Sequence, residues 1–122
     1  MAESQILSVI RMWAAIAWAD GVLAEAEAEG LRRLIRNADL TADERASASR
    51  LLEEHVDLPE EYLTSMSPES RKGVYRAACR MAVVDHVFSD TERATLLRLR
   101  DLLTIPAETA QEIEADVPGL TP

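Results

Sequence analysis

Six carboxylates of this 122-residue chain fall into two sets of the same order and spacing. Asp20, Glu25 and Glu27 form the first; Asp85, Asp90 and Glu92, 65 residues further on, form the second. Each set reads Asp-x4-[Asp/Glu]-x-Glu and begins where a long apolar stretch ends. Oxygen ligands gathered at a bend between two helices are what a hard cation such as Ca2+ or Mg2+ requires. Each bend is shorter than the calcium loop of an EF-hand and lacks its alternating Asp/Asn ligands. Tight binding therefore requires the two bends to converge, or waters to complete the shell. The same residues also suit a purely structural use. Glu92 is the third helical residue of the capping box Ser89-Asp-Thr-Glu92, and first-turn carboxylates gain about 0.3–1 kcal/mol each from the helix dipole. Asp20 and Asp85 can accept loop N–H groups in Asx turns.

The elements that must position these acids repeat with them. Without a gap, residues 9–44 match residues 74–109 at ten of 36 positions, including Arg11/Arg76, Val22/Val87, Leu31/Leu96, Arg33/Arg98 and Leu34/Leu99. Apolar pairs such as Ile16/Met81, Leu23/Phe88 and Leu40/Ile105 add to the match. Such an offset points to a duplicated helix–loop–helix unit with acids at its bend.

Helical periodicity places the elements in order. Ser4 caps a first helix to about Ala19, with Ile6, Val9, Ile10, Trp13 and Ala17 on one stripe and Leu7, Ala14 and Trp18 on another. A helix apolar around most of its circumference is central and packed on several sides. Asp20-Gly21 ends it, glycine tolerating the left-handed conformation of helix C-termini. A second helix begins near Ala24 or Glu25 and buries Leu31, Leu34 and Ile35. Thr41-Ala-Asp-Glu44 is a capping box for a third helix to about Glu54. Pro59 to Met66 allows only a short helix. Ser67-Pro68 opens the next, to about Val84, with Val74, Ala77, Ala78, Met81 and Ala82 inward. The helix after Ser89 carries Leu96, Leu99, Leu102 and Leu103, and Pro106 opens a last one to about Ala115. Residues 116–122 read as a frayed tail. No segment sustains the alternation of a strand.

A net charge of −9 argues against nucleic acid as a partner, because phosphate neutralisation needs a basic face. It suits cations or basic partners. The start, Met-Ala-Glu-Ser-Gln, is acidic where a signal peptide is basic, and no apolar run is long enough to span a bilayer. One cysteine, Cys79, carries no disulfide signal. Under the offset it pairs with Ala14, as a small buried residue and not a nucleophile. Hydrolytic chemistry finds no Ser/His/Asp order, phosphate loop or zinc spacing.

Ala-Asp-Gly, a short spacer, Glu on a new helix and then Leu-x-x-Leu, twice in one helical chain, resembles the tellurite-resistance TerB-like family over about Ile6 to Ala115. The second copy departs from the pattern, with Val84-Asp85-His86 in place of Ala-Asp-Gly; histidine tolerates positive φ better than most residues. The resemblance implies that Asp20 and Glu27, with Asp85 and Glu92, are paired acidic positions used for divalent cations. It also implies protein partners within a tellurite or stress-response assembly, in the cytoplasm and near the inner face of the membrane.

Other residues have competing uses. Arg11 and Arg76 sit about 13 Å from the Asp at their own helix ends, too far for an ion pair within the helix. They reach acids of the other unit, or they snorkel to water. Trp13 and Trp18 belong to the core or anchor an interface. His55 complements a helix C-terminus or acts as a ligand. The expectation is a single all-α domain of six to seven helices, with two pseudo-twofold units over about 6–44 and 71–109, acting as a non-enzymatic binding module. The rival expectation is a structural adaptor whose acids only cap helices.

Overall fold

Eight of the thirteen residues of the first helix, α1 (Gln5–Ala17), are buried, Val9, Ile10, Met12 and Ala14 completely. That all-round apolar surface is covered on four sides, by α2 (Glu25–Asn37), α3 (Ala42–Arg50), α4 (Pro68–Val83) and α5 (Asp90–Leu102). A sixth helix, α6 (Ala107–Ala115), packs on α4. The computed structural model describes residues 5–19, 21–54, 63–83, 89–118 and 120, and among these the chain is all-α, with no strand. The short helix expected over Pro59–Met66 and the Ser4 cap lie at or beyond the edges of the described residues.

The internal repeat is visible helix by helix. α5 begins and ends 65 residues after α2, and α6 begins and ends 65 residues after α3. The repeated unit therefore has three helices and runs to Arg50 and Ala115, past the point where sequence identity fades. Packing follows the same exchange. α1 rests on α2, α3 and α5, while α4 rests on α5, α6 and α2; α1 meets α4, and α2 meets α5. All of these contacts pair up under exchange of the two units, with α1 and α4 at the centre; the packing of α2 on α3 has no counterpart of similar extent between α5 and α6 among the described residues.

Local chemistry explains the boundaries. Gly21, at φ 84°, takes the left-handed turn after α1, and its N–H donates to the Trp18 carbonyl at 2.8 Å. Ser67 Oγ accepts the Ser70 N–H at 3.1 Å, with Pro68 at the first helical position. Thr41 and Ser89 are complete capping boxes: each side chain accepts from the backbone of its Glu, and each Glu accepts from the backbone of its cap. Thr41→Ala should lower stability by about 1 kcal/mol. Ser89→Ala should cost more, about 2 kcal/mol, because Ser89 Oγ also donates to the buried Glu92 carboxylate at 3.0 Å. Urea denaturation of the two variants checks both the loss and its order.

Two expectations are corrected. The last residues do not all fray: Val117 and Leu120 are 2% and 5% exposed, continuing the Ile113 face of α6 into the core at helical spacing. The third helix ends at Arg50, not near Glu54, and its last turn tightens as the Leu51 and Leu52 N–H groups bond three residues back. On α4 the inward set also includes Tyr75, buried with Val74, Ala78, Cys79 and Ala82, while Ala77 and Met81 pack on the core half-buried, as expected.

Candidate site at the two helix bends

α2 and α5 each follow a central helix in the chain, and their first turns carry Glu25 and Glu27, and Asp90 and Glu92. Asp20, Asp85 and His86 lie outside the described residues. The other four acids divide by burial. Glu25 is 85% exposed and pairs with Arg32 at 3.4 Å, and Asp90 is exposed. Glu27 is half-buried, and Glu92, 2% exposed, is the one buried carboxylate among the described residues.

Both inner acids are met by an arginine of the opposite unit. Arg33 Nη1 on α2 donates to Glu92 Oε1 at 2.9 Å. Arg98 Nη1 on α5 lies 4.0 Å from Glu27 Oε2. Glu27 and Glu92 are equivalent under the 65-residue offset, and so are Arg33 and Arg98, so the two pairs are one contact made twice across the pseudo-twofold. The copies are unequal. Glu92 Oε1 also accepts the Ser89 N–H at 3.1 Å and the Ser89 hydroxyl at 3.0 Å, which satisfies the charge away from water. The Arg98–Glu27 pair is longer and half exposed, although Arg98 Nη2 also donates to the Ile16 carbonyl near the end of α1, at 2.9 Å. Where α2 passes Glu92 it carries Gly30, whose missing Cβ would stand 3.5 Å from Glu92 Cγ.

Arg33 and Arg98 thus have a cross-unit role that the sequence alone did not single out. The offset had already paired Arg33 with Arg98. The signal for their role is that each follows its Glu by six residues on a helix that the twofold lays against its own copy. Among the described residues, no three acidic, histidine or cysteine side chains come together as a metal-binding group. Glu27 and Glu92 are engaged by arginine; Glu25 and Asp90 face water.

A second polar chain crosses the core beside α6. The Tyr75 hydroxyl donates to Glu114 Oε2 at 2.5 Å, and Arg100 Nη1 lies 3.9 Å from the same oxygen. Burial pushes the Tyr75 phenol well above its ordinary range, and the hydrogen bond to Glu114 adds to the shift. Burial likewise pushes the neighbouring Cys79 thiol up to about 12, so it is protonated at neutral pH and unreactive. Trp13 is core, as its spacing implied. Trp18 is half-buried, and its indole Nε1 donates to the Leu51 carbonyl at 2.7 Å, fastening the end of α1 to the end of α3. His55 lies outside the described residues. Compared with family models, curated proteins and solved structures, the chain matches none of them.

Proposed function

We propose that the chain is a non-enzymatic, TerB-like module that binds protein partners in a stress-response assembly, at or near the inner face of the membrane. One observation carries the choice of partner over cation. Glu27 and Glu92, two of the four acids that the resemblance assigns to cations, are engaged by Arg98 and Arg33 and hold the two units together. The TerB-like motifs supply the stress-response setting, and the net charge of −9 favours basic partners. Affinity purification of the tagged chain from tellurite-stressed cells should recover products of neighbouring stress genes. Recovery of none of them under any stress condition would reject the proposal.

Divalent-cation binding is the second reading, favoured by Glu25 and Asp90, which stay exposed at the starts of α2 and α5. A cation held by the native state alone raises stability by mass action. At a hundredfold excess over Kd the gain is about 2.7 kcal/mol, a rise in Tm on the order of 10 °C for a chain of this size. Under the partner-binding proposal, Tm stays within about 1 °C between chelator and millimolar Ca2+ or Mg2+. A rise in the wild type that disappears in Asp20→Asn/Asp85→Asn would establish the cation reading instead.

A further inference from the structure

The two units also differ where α1 and α4 begin. In the second unit, Arg71 near the start of α4 lays its guanidinium over the end of α5. Nη1 donates to the Leu103 carbonyl and to Thr104 Oγ1, each at 3.0 Å, and Nη2 donates to the Leu63 carbonyl at 2.5 Å. In the first unit the residue equivalent to Arg71 is Ile6 on α1, and the equivalents of Leu103 and Thr104 are Ala38 and Asp39. Isoleucine cannot reach as far. The chain also leaves α2 extended at Ala38 (φ −81°, ψ 146°), whereas it curls over the end of α5, with Thr104 left-handed at φ 54°.

What remains beside Ile6 is an open cavity of about 160 Å³, walled by Ile6, Leu34, Ala38 and Met81, with Asp39 and Arg80 among its exposed lining. A cavity of this order takes a group about the size of benzene. Among the described residues Asp39 has no ion-pair partner. Arg45 caps the Ile35 and Ala38 carbonyls, at 2.7 and 3.0 Å, but does not line the cavity.

We propose that this groove receives an arginine side chain presented by a partner protein, its stem on the apolar walls and its guanidinium against Asp39. This rests on the partner-binding reading above and names the chemistry the partner brings. The apolar walls fit the methylene stem of arginine, and Asp39, the sequence equivalent of Thr104, puts a carboxylate at the groove for the guanidinium. The chain's net charge of −9 draws a cation in, while Arg80 on the rim is solvent-exposed and its repulsion is screened.

The test is 15N NMR titration of the full chain with N-acetyl-arginine methylamide, set against the leucine and lysine equivalents. The arginine probe should shift the Ile6, Ala38, Asp39 and Met81 amides saturably, with a Kd of about 1–10 mM, as befits a single side chain. The leucine and lysine probes, and the arginine probe on Asp39→Asn, should bind at least about fivefold more weakly. Ile6→Arg, which plugs the groove from within, should abolish the shifts; if that variant does not fold, Asp39→Asn carries the test. Equal binding of leucine and arginine, or no saturable shift, would overturn the proposal. So would a change of oligomeric state in Ile6→Arg, which would assign the face to a second copy. Should stress proteins still co-purify in those cases, partner binding stands and only this groove is rejected.

Discussion

Arg33→Ala lowers the stability of the fold by about 3–5 kcal/mol, whereas Arg98→Ala, at the equivalent position, lowers it by about 1 kcal/mol. The difference follows from burial. Glu92 is 2% exposed, and removing Arg33 leaves its carboxylate away from water with only the Ser89 donors. Glu27 is 20% exposed in its side chain and Arg98 is 50% exposed, so water replaces much of what that pair supplies. Replacing both Arg33 and Glu92 by methionine should cost less than Arg33→Ala alone, because no charge is then stranded. Urea denaturation of the four proteins gives the comparison. Equal small losses for Arg33→Ala and Arg98→Ala would show that Glu92 does not depend on its cross-unit partner.

Arg71→Ala is the second large loss, about 2–3 kcal/mol. Its guanidinium donates to three backbone carbonyls, those of Leu63, Met66 and Leu103, and so joins the segment before α4 to the end of α5. It also holds Thr104, a β-branched residue at positive φ, where the backbone is strained. Arg71→Lys should recover less than half of the loss, since an ammonium on a flexible stem cannot span acceptors that lie in a fork. A Tm for Arg71→Lys equal to wild type would show that charge alone, without the planar geometry, is enough.

The sequence carried the fold clearly because its signals were local. The apolar periodicity around α1, the two capping boxes, Gly21 and the Ser67-Pro68 start all act within a few residues of the boundary they set. What it did not carry was which side chains meet across the twofold. Glu92 and Glu27 are reached by Arg33 and Arg98. Those lie on amphipathic helices, where an arginine looks like ordinary surface. Tyr75 was missed for a similar reason: its partner, Glu114, is 39 residues away. The buried Val117 and Leu120 were hidden by the prolines and glycine around them. Their spacing from Ile113 was the usable signal. At the candidate site the acids and their repetition were legible, while their division into inner, arginine-bound and outer, exposed pairs depends on how α2 packs on α5.

The crossed pairs, Arg33 with Glu92 and Glu27 with Arg98, have the form of an isologous interface, in which residue i of one subunit meets j of the other and j meets i. A three-helix unit alone would leave the inner face of its central helix bare, so each unit is to the other what a second subunit would be in a homodimer. Fusing two such subunits makes association independent of concentration. It also frees the halves from identity. In a homodimer every groove and every plug comes in duplicate, and any change appears twice; in a single chain, Arg71 can close one copy of a groove while Ile6 leaves the other open.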